Sequence, residues 1–127
     1  MIVAIGSDLV SVERVRGVYA RHPERFLSRH FTPEEQAYAL AAADPAPRLA
    51  VRWAAKEAFA KVWGEPLGWR DVAVTHDGRG SPQLRFSAGL ERALAERGLA
   101  ALVTLSHERD YALAFVALVT QPSPRTP

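Results

Sequence analysis

Apolar and polar positions along this chain change period several times, and each change marks an element. Ile2–Ile5 is an apolar, β-rich run that loses its character at Gly6, which predicts a strand ending near Asp8. Ser11 then stands as a helix N-cap, and Val12, Val15, Val18 and Tyr19 recur at helical spacing until Pro23 ends the run. A second start signal lies at Thr32, with Pro33 as the first helical residue and Glu35 three positions after the cap, a capping box. Pro45 and Pro47 close that helix. From Arg48 the chain is alanine-rich and uninterrupted to Trp63, with Gly64 as C-cap and Pro66 beyond, so a helix of about four turns is expected there.

The period then shortens. Asp71–Asp77 alternates, Gly78–Pro82 is a turn cluster and Gln83–Ser87 resumes the alternation, which predicts a hairpin. Ser87 caps an amphipathic helix through Leu90, Leu94 and Arg97, stopped by Gly98. Two apolar strands follow, joined by the polar turn His107–Asp110, and residues 121–127 read as a disordered tail. Helices and strands mix without βαβ alternation, so the expected class is α+β, a mainly antiparallel sheet against a long central helix, in one domain over residues 1–120.

Composition narrows the function. A chain of 127 residues, 48% apolar, can bury one real core. Cysteine is absent, which excludes disulfides and thiolate metal sites. The N-terminus has no basic leader and its apolar run is broken by Gly6 and Asp8, so neither a signal peptide nor a membrane span is expected and the reading is a soluble, intracellular protein. The formal charge of +2 is unevenly placed: Arg14, Arg16, Arg21, Arg25 and Arg29 face only Glu13 and Glu24 between Val10 and His30. Such a surface can meet solvent, nucleic acid or an acidic protein, and the fewness of aromatics among these arginines disfavours nucleic acid relative to an acidic protein.

The chain holds two lysines, Lys56 and Lys61, against fourteen arginines. Trp53, Glu57 and Lys61 stand at i, i+4 and i+8 of the long helix, so Glu57 and Lys61 are neighbours. An exposed Glu–Lys pair worth a few tenths of a kcal/mol is the plain reading; the small residues Ala54, Ala55, Ala58 and Ala60 argue instead for a closely packed helix. Asp8, just after the first strand, is by itself an ordinary turn or cap residue. Taken together, two carboxylates from separate segments can hold a hard cation such as magnesium, which keeps waters and completes its shell with phosphate oxygens. A lysine beside them would neutralise the same phosphates as a compact point charge. Alone, His107 at a strand end and the Gly80-Ser81-Pro82 turn carry no more than structural meaning.

The combination is specific. Gly6-Ser7-Asp8 with Arg14 beyond, then Trp53-Ala-Ala-Lys56-Glu57-Ala-Phe-Ala-Lys61, then Gly80-Ser81-Pro82, then Leu105-Ser106-His107 resembles the holo-acyl-carrier-protein synthases, the small phosphopantetheinyl transferases, over Ile2 to about Val119. The resemblance implies transfer of 4′-phosphopantetheine from coenzyme A to a serine of acyl carrier protein. It implies Asp8 and Glu57 as magnesium ligands and Lys61 at the diphosphate, these three forming the catalytic set. Arg52, Ser106 and His107 fall where the family touches the nucleotide phosphates, Gly80 and Pro82 on the adenine side, and Arg14, Arg21 and Arg25 where the acidic carrier docks. Where larger members carry a third acid this chain has Val10, which places it with the short, trimeric group. A cytoplasmic homotrimer with sites between subunits, without nucleic acid or membrane partners, is the resulting expectation. In that arrangement Asp8, Glu57 and Lys61 come from one subunit and the Gly80–Pro82 turn, His107 and Arg14 from its neighbour. The base is open between Glu57 and a metal-bound water, and Lys56 between phosphate binding and the fold. The competing reading is a non-catalytic carrier-protein or nucleotide-binding module, which would not need the set Asp8, Glu57 and Lys61.

Overall fold

In a computed structural model that describes residues 1–121, the chain starts in a strand, β1 (Ile2–Ser11), that runs past Asp8 and leads straight into helix α1 (Val12–Arg21). The expected end near Asp8 is thus three residues early by position. Gly6 does not interrupt the strand, because from Ala4 to Ser11 every residue keeps its antiparallel partner on the last strand, Ser11 facing Tyr111. Ser11 caps α1 as expected, its Oγ accepting from the Arg14 amide at 3.2 Å. Pro23 does more than end α1. It is the first residue of a helix that the pattern does not predict, α2 (Pro23–His30), where a missing N–H costs nothing. Only Phe26 and Leu27 of α2 are buried, too few to print a helical period.

Helix α3 (Pro33–Leu40) opens on the expected capping box: Thr32 Oγ1 accepts from the Glu35 amide at 3.3 Å and Glu35 Oε1 from the Thr32 amide at 3.1 Å. Pro45 and Pro47 open the following helix rather than close this one. Helix α4 (Ala46–Trp63) has Pro45 at its N-cap and Pro47 in its first turn, so it starts two residues before Arg48. Gly64, at φ 76°, ends it in the left-handed conformation that glycine supplies. A 3-10 turn (Trp69–Asp71) leads into the hairpin β2 (Val72–His76) and β3 (Pro82–Phe86), helix α5 (Ala88–Glu96), and the strands β4 (Leu99–His107) and β5 (Tyr111–Thr120). Residues 122–127, most of the expected tail, lie outside the described residues. The Gln121 amide donates to Gly98 O at 2.7 Å, so the chain is still anchored where the tail was expected to begin.

The strands form a three-stranded antiparallel sheet in the order β1-β5-β4 and the separate β2-β3 hairpin, the α+β class expected. One face of the larger sheet packs on α4, which serves two apolar clusters. Ala54, Ala58 and Phe59 meet the hairpin, α5 and Val116; Leu49, Ala50 and Val51 meet α1, α2 and Ala112. The other sheet face is open, with Ile5, Leu9, Leu102, Leu113 and Phe115 exposed.

Lys56 belongs to the fold. It is 1% exposed, and its Nζ donates to Glu35 Oε1 at 2.7 Å, to Trp69 O at 2.9 Å and to Val72 O. Glu35 Oε2 accepts from the Val74 amide at 3.0 Å. The pair thereby ties α3, α4, the 3-10 turn and β2 together with its hydrogen-bonding needs met, the condition under which buried charges are tolerated.

Candidate active site

Gly6 explains how the first carboxylate reaches the long helix. A Cβ at Gly6 would lie 2.8 Å from Ala58 O and 2.9 Å from Val62 Cγ1, so β1 can lie directly on α4 only without one. Asp8, two residues on and therefore on the same strand face, is carried to the α4 stripe of Trp53, Glu57 and Lys61. Lys61 Nζ donates to Ser7 O at 2.7 Å and to Asp8 Oδ1 at 3.2 Å. Asp8, Trp53 and Glu57 line one cavity of about 450 Å³, whose remaining wall is apolar, with Val15, Val18 and Phe26, and whose rim holds Arg14.

Burial raises the Glu57 carboxyl above its ordinary value, the Asp8 charge raises it further, and Lys61 opposes both. Two carboxylates in a half-buried hollow with one ammonium leave room for a cation. Among the described residues no third His, Asp or Glu joins them. A pair of oxygen donors fits a hard ion that keeps several waters, and does not fit zinc, which wants three or four protein ligands.

The residues expected at the nucleotide divide. Arg52, Pro82 and His107 line a second cavity of about 430 Å³, together with Tyr38, Arg48 and His76. Gly80, at φ 82°, is at the hairpin tip outside that cavity; there Asp77 Oδ1 accepts from the Arg79 and Ser81 amides. Ser106 is exposed in the register position opposite Leu113, on the open face of the sheet. Arg14 stands on the carboxylate side of the same chain, not with His107. Arg21 ends α1 and Arg25 lies on α2, both exposed, so the basic stretch spans two helices.

Several lining residues escape a reading of the sequence. Tyr38, Arg48 and His76 gave no motif and no period. Trp69 packs on Trp53 at 4.3 Å between centroids, and the His30 ring stands 4.9 and 5.0 Å from the two. Burial pulls His30 below its ordinary pKa, against the bond its Nδ1 makes with Phe26 O at 2.8 Å. The sequence gives no sign that these rings meet, because α2, α4 and the 3-10 turn each contribute to the wall.

Residues 4–116 match the model of the 4′-phosphopantetheinyl transferase superfamily. A holo-[acyl-carrier-protein] synthase of Thermus thermophilus is 53% identical over 118 residues, 93% of this chain and 94% of that one. Among solved structures, the holo-[acyl-carrier-protein] synthase of Neisseria meningitidis superposes with a TM-score of 0.86 at 35% identity, over 94% of this chain and all of its own. A Bacillus anthracis holo-(acyl-carrier-protein) synthase, solved in complex with CoA (3′,5′-ADP), does so at 0.78 and 27%, over 96% and 99%. With its family model spanning most of its length, and a relative more than half identical over the same span, this chain belongs to the 4′-phosphopantetheinyl transferase superfamily.

Proposed function

We propose that residues 1–120 of this chain transfer the 4′-phosphopantetheine group from coenzyme A to a serine of apo acyl carrier protein, releasing adenosine 3′,5′-bisphosphate. One observation carries the reading: Asp8 from β1 and Glu57 from α4 share a cavity, with Lys61 bonded to Asp8. A module that only bound a carrier or a nucleotide would have no use for two crowded carboxylates. The names of the relatives support the same activity.

In this reading Asp8 and Glu57 would hold Mg²⁺, which when bound would supply positive charge against the diphosphate of coenzyme A. Lys61, exposed beyond Asp8, donates to the same diphosphate. The carrier serine attacks the phosphorus on the pantetheine side. An Oγ–P bond forms, the bond from that phosphorus to the bridging oxygen breaks, and the bisphosphate leaves with the electron pair. Glu57 or solvent held beside it accepts the serine proton. Arg14, on the cavity rim, and Arg21 and Arg25 meet the acidic carrier and orient its serine toward Asp8 and Glu57.

The two cavities belong to different parts of one subunit's surface, and the open sheet face exposes Ile5, Leu9, Leu102, Leu113 and Phe115, an apolar surface of the kind that marks an interface. Both support a homotrimer in which the carboxylate cavity of one subunit meets the Arg52, Pro82 and His107 cavity of the next; its place in the cytoplasm is part of the same reading and rests on the family alone. The deciding assay is mass spectrometry of apo carrier protein incubated with coenzyme A and magnesium. A gain of one phosphopantetheine group is expected; an unchanged carrier mass with folded protein and bound nucleotide sinks the transferase reading in favour of a binding module.

A further inference from the structure

The second cavity contains an arrangement that none of the expected contacts accounts for. The guanidinium carbons of Arg48 and Arg52 each stand 4.2 Å from the centroid of the same ring, Tyr38. Backbone oxygens complete the arrangement: Arg48 Nη1 donates to Tyr38 O at 2.5 Å and Arg52 Nη1 to Arg48 O at 3.2 Å. Two like charges are thus held at one aromatic ring, which attracts both. Among the described residues neither forms an ion pair, although the Glu35 charge acts on Arg52. Asp44, the acid on its rim, is occupied by Arg16 at 2.6 Å.

Arg52 is 2% exposed, and its Nε has no hydrogen-bond partner among the described residues. A buried polar atom left unpaired in this way costs stability unless something else satisfies it. The wider electrostatics agree. Burial and then the Arg52 charge hold His76 below its ordinary pKa, Asp77 pulling the other way and Arg48 adding to the effect. The cavity thus holds the two guanidinium groups beside the rings of His76 and His107, a setting that a compact dianion would suit.

We propose that Tyr38 is a positioning residue, whose ring aligns Arg48 and Arg52 as a two-armed clamp for a phosphate monoester, and that Arg48 is a further contact to that phosphate. The inference rests on the transferase reading for the identity of the ligand and adds a reason for its selectivity. Coenzyme A carries one phosphate monoester, on the 3′ position of its ribose, besides the diphosphate assigned to Lys61 and the carboxylate-held ion. The clamp therefore makes the enzyme distinguish coenzyme A from its 3′-dephospho form. Arg52 alone would not suffice, because it is sunk in the core; Arg48 is only half-buried and is already held in place on the Tyr38 ring and carbonyl.

Binding separates this proposal from the transfer reaction itself. Isothermal titration of the assembled protein with adenosine 3′,5′-bisphosphate and with adenosine 5′-monophosphate measures the preference for the 3′-phosphate. Tyr38→Leu and Arg48→Met should each lower that preference roughly tenfold, the loss of one charge-assisted contact. Tyr38→Phe, which keeps the ring, should retain it to within about twofold. Steady-state kinetics should agree, with Tyr38→Leu raising KM for coenzyme A far more than it lowers kcat. A preference unchanged in folded Tyr38→Leu and Arg48→Met overturns the clamp, and so does a loss in Tyr38→Phe equal to that in Tyr38→Leu. Bisphosphate preference without transfer to the carrier would leave the clamp standing and overturn the catalytic reading instead.

Discussion

Lys56 and Lys61 are the only lysines of the chain, yet the Lys56 side chain is 1% exposed and that of Lys61 54%. Five residues along one helix have turned the same side chain to opposite purposes. Lys56→Ala removes the partner of buried Glu35 and the donor to Trp69 O and Val72 O, so it should cost about 3–5 kcal/mol, read as a fall in the urea midpoint. Lys61→Ala should leave that midpoint within about 1 kcal/mol, because exposed pairs contribute little, and yet abolish most transfer. If Lys61→Ala retains near-normal turnover, its assignment to the diphosphate is wrong. At the same scale, Asp8→Asn and Glu57→Gln should fold normally and lose at least about a hundredfold in turnover, since changes one shell further out already cost 10–100-fold. Normal activity of either variant at low magnesium would remove that residue from the cation.

Among the elements, the contact between β1 and α4 decides whether Asp8 meets Glu57. Gly6→Ala places a methyl carbon within 2.8 Å of the Ala58 carbonyl, a backbone atom that cannot swing aside, so β1 must lift from the helix. The expected cost is about 1–3 kcal/mol of stability together with a higher magnesium concentration for half-maximal activity. An unaltered magnesium dependence in a folded Gly6→Ala would show that the carboxylates tolerate the shift. The aromatic wall makes a separate demand. His30 is held neutral by burial between α2, Trp53 and Trp69, with Arg29 and Lys56 adding to the effect. Because its folded pKa lies below the unfolded value, near 6.5, the unfolded chain binds the proton first. The stability tied to His30 is therefore complete above about pH 6.5 and is lost as pH falls from there toward the lowered folded pKa. Thermal melts across pH 5–7.5 should show this slope and His30→Phe should flatten part of it, His76 supplying the rest; a slope of unchanged size in His30→Phe would clear His30 of the effect.

For the whole molecule, the proposed trimer rests on the exposed sheet face and the two separated cavities, and both can be tested. Phe115 lies at the centre of that face, flanked in register by Ser7 and Thr104. Phe115→Glu should give a folded monomer by native mass spectrometry, with transfer lost; a trimer that persists would place the interface elsewhere. The shared site can be tested directly by reassembling equal amounts of Glu57→Gln and His107→Ala. Random mixing around a cyclic trimer leaves about a quarter of the interfaces intact on both sides, so activity should rise to about that fraction of the unaltered enzyme. With subunit exchange verified, a mixture no more active than the mean of its parents rules the shared site out.

The elements whose signals are local were legible in the amino-acid sequence: the capping box at Thr32, the alanine-rich α4 with Gly64 after it, the hairpin, and the two long strands near the end. The motif residues Asp8, Glu57 and Lys61 were singled out there through the family resemblance, and the structure brings them together between β1 and α4. What failed was also local in origin. Pro45 and Pro47 were read as stops, and Pro23 only as the end of α1 and not as the start of α2, because a proline marks a helix boundary without saying on which side the helix lies. Tertiary structure alone decided that Gly6 serves a close approach rather than a turn, that Lys56 is buried against Glu35, and that Ser106 faces away from the cavity holding Arg52 and His107. It also decided that Tyr38 lies under two arginines that stand ten and fourteen residues further along the chain. Such pairings depend on which faces of distant elements meet, and packing, not the spacing of residues along the chain, sets that.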